Sequence, residues 1–165
     1  SNNLAPAAGA AYVFLRTGLT WSQQAYLKAP NTEASDEFGY AIAISGDTIV
    51  VGAHFEDGNQ ETISQAAALP TPATDNDANA SAGAAYVFVR EAGVWSQNAY
   101  LKSPNPDAND RFASALAVSG STIIAGAWYE DSNTTTVLHT GSLPTAASDN
   151  DAAADAGAAY VFVKR

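Results

Sequence analysis

The chain has 165 residues, a length that ordinarily makes one domain. Apolar residues make up 47% and charged ones 15%, and Asp+Glu 17 against Lys+Arg 7 gives a net charge of −10. That sign argues against nucleic acid, whose phosphates need basic patches, and against adsorption to anionic membranes.

The absence of cysteine rules out disulfides and thiolate metal sites. No run approaches the ~18 apolar residues of a membrane helix. There is no methionine either, so Ser1 reads as the start of a processed chain whose secretory leader has been removed. The expected location is extracellular or at the cell surface.

In chain order, the first expected strands are Ala10–Arg16 and Trp21–Lys28. Phe38–Ser45 follows, with Tyr40, Ile42 and Ile44 on one side and alanines on the other, the period-2 signature of a strand. Gly46-Asp47 reverses the chain into β-branched Thr48–Ala53, completing a hairpin. Glu56–Ala82 is long, polar and without periodicity, and such a connection is functional or mobile. Ala84–Arg90 is the next strand, with Tyr86 and Phe88 facing one way and Ala85, Val87 and Val89 the other; Trp95–Lys102 follows a Gly-containing turn. Phe112–Ser119, Ser121–Ala127 and Ala158–Lys164 close the chain.

Many of these segments are copies of one another. Ala-Gly-Ala-Ala-Tyr-Val-Phe stands at Ala8–Phe14, Ala82–Phe88 and Ala156–Phe162, each displaced by 74 residues without a gap. Trp21 and Trp95, Ala25 and Ala99, and Glu56 and Glu130 open further repeated motifs. A fixed period means units that bury their apolar faces against neighbours. Strands apolar on both faces, with small alanines on one, fit sheets sandwiched between sheets. The expected fold is therefore all-β: four-stranded antiparallel propeller-type blades in tandem. As one repeat domain, 1–165 divides into a partial blade at 1–37 (third and fourth strands), a full blade at 38–111, and a partial blade at 112–165 (first to third strands).

Phe38-Gly39, Val51-Gly52-Ala53 and Gly83–Phe88 resemble the FG-GAP repeat, the blade of the integrin alpha-subunit head and of many secreted bacterial proteins. The resemblance implies propeller blades and an extracellular setting. His54 and Trp128 stand where the family usually has proline, and Phe112-Ala113 replaces Phe-Gly. The integrin-type calcium loop does not carry over, because Ser45-Gly46-Asp47 and Ser119-Gly120-Ser121 are too short to wrap the ion.

A stack of about two blades would leave apolar faces and strand edges in water, which proteins avoid. The favoured expectation is a structural protein whose protomers join head to tail into a filament or ring. The alternatives are a lectin-like carbohydrate-binding or adhesion module, and a segment of a longer propeller. The expected partner is thus a second copy of the chain, or glycans and other cell-surface material.

Candidate ligands are few. Asp75, Asp77, Asp149 and Asp151, in repeated Asp-Asn-Asp runs, offer hard oxygens suited to Ca²⁺; the same runs, and Glu56-Asp57 with its copy, also suit solvated acidic loops and Asx turns. Trp128 and Tyr129 at a loop entrance could stack on sugars, as could Trp21 and Trp95, though packing explains the latter pair as well. Asn79 and Asn133 match the N-glycosylation pattern. His54 and His139 are not repeat-equivalent, and Ser142 lacks any nucleophile motif. Asp36, Glu37 and Asp110 read as turn formers rather than a carboxylate pair flanking a glycosidic bond. No enzyme is expected.

Overall fold

Large and small apolar residues alternate along each strand, so every strand offers a bulky face and a small one. In the computed structural model, which describes residues 4–60, 63–65, 77–139 and 151–164, the strands form three antiparallel sheets. β1 (Ala11–Thr17) pairs with β2 (Thr20–Leu27). The middle sheet contains β3 (Ala41–Ser45), β4 (Thr48–Ala53), β5 (Ser64–Gln65), β6 (Ala84–Glu91) and β7 (Val94–Leu101), in the order β3-β4-β6-β7-β5. The third holds β8 (Phe112–Ser119), β9 (Thr122–Ala127) and β10 (Ala158–Val163), in the order β10-β9-β8. No helix and no closed barrel occur among the described residues, and hence no helix able to cross a membrane.

The sheets stack face to face, and the stacking follows the alternation. Tyr86, Phe88 and Tyr100 turn toward the first sheet and meet Ala11, Leu27, Val13 and Ala25. Their strand neighbours Ala85, Val87, Val50 and Ala99 turn the other way and meet Phe112, Tyr160 and Phe162. Each seam therefore packs a bulky aromatic face on a small, β-branched one. Edge-to-face ring pairs recur at the same repeat positions: Phe38–Tyr86 at 5.3 Å and Phe112–Tyr160 at 5.6 Å.

Two features differ from the expectation. The middle blade has a fifth strand: β5, in the long polar connection, pairs Ser64 with Tyr100 and Gln65 with Ala99 on the outer edge of β7. The first strand of that blade also starts later than Phe38. Phe38 instead bridges Gly9 of the preceding sheet in parallel, and Gly39 at φ +101° turns the chain into β3. A matching bulge interrupts β1 against β2 between Val13 and Phe14, and β6 against β7 between Val87 and Phe88. The repeat thus extends to backbone irregularities.

Candidate functional site

The seams are built by one device used twice. The loop leaving β2 donates Ser35, Glu37 and Phe38 N–H groups to the carbonyls of Pro6, Ala7 and Ala8 at 2.9, 3.1 and 3.0 Å. One repeat on, Asn109, Arg111 and Phe112 donate to Ala80, Ser81 and Ala82 at 2.8, 3.1 and 2.9 Å. The incoming Phe-Ala peptide is seated on glycines. A Cβ on Gly52 would stand 2.3 Å from the Ala113 carbonyl oxygen, and one on Gly83 2.2 Å from that of Phe112. Ala113 reproduces the glycine backbone of Gly39, at φ +65°.

The same acceptor recurs on the last sheet and stands open. Gly126 and Gly157, the counterparts of Gly52 and Gly83, line with Trp128, Ala115 and Ala159 a cleft of about 410 Å³. A Cβ on Gly126 would meet nothing closer than the Ala115 methyl at 3.6 Å. Val161, the counterpart of enclosed Val87, is 63% exposed. At the opposite end Tyr12 and Phe14, the counterparts of enclosed Tyr86 and Phe88, are 57% and 55% exposed. Ile42 and Ile44, on the face of the middle sheet that turns toward the two-stranded first sheet, are exposed as well.

Each seam is locked at its loop end by buried polar groups. Glu56 Oε2 lies 2.9 Å from Lys102 Nζ, and Glu56 Oε1 accepts from Tyr100 Oη at 2.7 Å and Asn31 Nδ2 at 3.2 Å. Tyr86 Oη donates to Asn31 Oδ1 at 2.9 Å, tying the preceding loop to the middle blade. In the last blade Asn105 donates to Glu130 at 2.8 Å and accepts from Tyr160 at 3.0 Å. Glu56 is therefore not a solvated acid or an oxygen ligand. It is the internal counter-ion of a lysine, a role its spacing to Lys102 did not announce; the repeated Tyr-Leu-Lys and Glu-Asp motifs were the available signal.

Asp36 and Asp110 form the turns expected of them, accepting the Glu33 and Asp107 N–H groups at 2.8 Å. Burial pushes both carboxyls up to about 7, with Glu56, Glu33 and Asp57 adding to the rise at Asp36, and Asp107, Glu130 and Asp131 at Asp110, against the lowering by those N–H bonds.

The remaining sequence candidates are scattered. Asp75 and Asp149 lie outside the described residues, and Asp77 and Asp151 are exposed. No cluster of three or more His, Asp or Glu that could hold a metal ion occurs among the described residues. Asn79 Nδ2 donates to the Pro106 carbonyl, whereas Asn133 is exposed. His139 is exposed, and Ser142 lies outside the described residues. Trp95 packs at the first seam and donates Nε1–H to Gln24 at 2.8 Å, while its counterpart Trp21 is bare.

Trp128 and Tyr129 lie with ring centres 4.9 Å apart at the rim of the second seam. The structure brings three side chains to them that the sequence did not single out as a group. Phe55 and Arg111 adjoin them, and His54 stacks on Phe55 at 4.0 Å and on Tyr40 at 3.8 Å. The signal was available: Arg111 is the repeat counterpart of Glu37, a charge reversal in an otherwise conservative register.

A family model described as FG-GAP repeat matches residues 21–68 and again 95–142, the two matches offset by the repeat length. No curated protein matches the chain. Phe-Gly or Phe-Ala peptides seated on glycines, blades of antiparallel strands and two family matches over more than half the sequence agree: the chain belongs to the FG-GAP repeat family.

Proposed function

We propose that this FG-GAP module is an extracellular structural protein that assembles head to tail, the bare aromatic face of one copy covering the bare small-residue face of the next, into a filament or ring. FG-GAP repeats build propeller-like adhesion and binding modules, and binding to its own kind is the form the reading takes here.

The contrast between repeat-equivalent residues carries the reading. Val87 is 6% exposed where the next blade covers it and Val161 is 63% exposed; Tyr86 is fully enclosed and Tyr12 is 57% exposed. The two ends are thus the two halves of a seam the molecule already makes twice. Burying such faces contributes about 25 cal/mol per Å² of apolar surface removed from water. A contact between unlike faces propagates, closing into a ring or growing open according to its rotation.

Sedimentation velocity and electron microscopy of the chain across a concentration series test this. The expected result is concentration-dependent assembly, with Val161→Asp and Phe14→Asp each monomeric alone and forming a terminated dimer when mixed. A wild-type chain that stays monodisperse and monomeric at high concentration overturns the proposal, as does assembly indifferent to both substitutions.

A further inference from the structure

Arg111 stands among aromatic rings at the loop rim of the second seam. Its guanidinium carbon lies 4.9 Å from the centre of the Phe55 ring, 4.7 Å from that of Tyr129 and 6.0 Å from that of Trp128. Among the described residues the ion pairs engage His54, Arg90 and Lys102, and none engages Arg111, in a chain with ten more acids than bases. Its Nε is buried and makes no hydrogen bond, and so is Nδ1 of His54, a side chain only 3% exposed. Two orphaned polar atoms in one cluster of side chains need an explanation, since each costs about 1–3 kcal/mol. The Arg111 backbone also sits at φ +54°, a conformation that persists where the surroundings enforce it.

We propose that this rim binds a carboxylated saccharide, Arg111 taking the carboxylate and the aromatic side chains beside it taking the C–H face of the sugar ring. The guanidinium fork matches a carboxylate in two parallel hydrogen bonds. Rings around it fix its plane before the ligand arrives, so little side-chain freedom is lost on binding. Trp128 and Tyr40, both 54% exposed, offer flat apolar surfaces, the first beside Arg111 and the second against His54. A pyranose presents such a surface with hydroxyls at its rim, and the Glu37 carboxylate, 3.9 Å from His54 Nε2, is an acceptor for them. An acidic peptide has the carboxylate but no flat C–H face, so it leaves the rings unused. The site lies on the loop rim of the second seam within one copy; Trp128 also lines the open cleft of the last sheet, so binding is read on a chain that cannot assemble.

Calorimetry and tryptophan fluorescence decide the matter, with oligogalacturonate, a neutral malto-oligosaccharide and polyglutamate as probes. The Phe14→Asp background keeps the protein monomeric, so that a failure of binding is not confused with a failure of assembly. Saturable binding of oligogalacturonate is expected, with the neutral sugar and polyglutamate weaker by about tenfold or more. Arg111→Ala is expected to lose about tenfold or more in affinity. Arg111→Lys, which keeps the charge without the fork, should fall between, at an unfolding midpoint close to that of the parent. Absence of saturable binding, equal binding by Arg111→Ala, or equal binding of polyglutamate overturns the proposal.

Discussion

Lys102 Nζ and Glu56 Oε2 meet at 2.9 Å with both side chains enclosed, and the pair ties the fourth strand of the middle blade to the loop that follows its second. One repeat earlier, Lys28 donates instead to the Gly9 carbonyl at 2.5 Å. Removing one partner of a buried pair strands the other charge, at about 3–5 kcal/mol. Lys102→Met is therefore expected to lower the thermal midpoint by roughly 6–20 °C in a chain of this size. Lys28→Met, nearer the surface, should cost under about 1 kcal/mol. Urea unfolding of both variants checks the contrast; equal losses contradict it.

Gly52 and Gly126 occupy the same repeat position and predict opposite outcomes on substitution. A methyl group at Gly52 collides with the Ala113 carbonyl, so Gly52→Ala is expected to cost about 3 kcal/mol. Gly126→Ala meets only ordinary contact and should leave the monomer within about 0.5 kcal/mol of its parent. Gly126→Ala should nevertheless impair self-association, because the methyl enters the open cleft. Unfolding curves at low concentration and sedimentation at high concentration separate the two effects.

Ala113 carries a methyl where the backbone favours glycine. Ala113→Gly releases about 1–2 kcal/mol of left-handed strain. It loses about 0.8 kcal/mol of methyl burial and about 0.5–1 kcal/mol of chain entropy. The terms nearly cancel, so its stability should stay within about 0.5 kcal/mol of wild type. Ala127→Gly, equally buried but in ordinary strand backbone, has only the losses and should fall by about 1.5 kcal/mol. Denaturant midpoints of the two variants test the cancellation.

Asp36 and Asp110 should make the protein less stable as pH rises. Both carboxyls are raised to about 7 in the folded chain, against about 3.9 when unfolded. Between those values the folded state holds protons that the unfolded state has released, so this contribution is full below about pH 4 and lost by about pH 7. Urea midpoints should therefore fall from pH 5 to pH 7, and Asp36→Asn with Asp110→Asn should flatten the slope. A slope unchanged in the double variant contradicts the assignment.

The strands were legible because Tyr12-Val13-Phe14 and its copies alternate strictly, and alternation is what a sandwiched strand requires. β5 was not, since Ser64-Gln65 has no pattern of its own and is a strand only because β7 offers it an edge. Phe38 reads as the start of a strand by hydrophobicity, yet Gly39 bends the chain before β3 begins. Trp21 and Trp95 look identical in sequence and differ entirely in surroundings, a difference set by which blade follows which. Glu56 belongs to a pair that suits a solvated acidic loop by sequence, yet it is enclosed, because Lys102 from the neighbouring strand end reaches it. Arg111 was passed over because the rings around it are distant in sequence.

β5 hems the outer margin of the middle sheet where Tyr100 sits. A margin already hydrogen-bonded gives a foreign chain little purchase along those residues, while β3 forms the opposite margin with no strand beyond it among the described residues. Sideways pairing by a foreign strand should therefore favour β3 over β7.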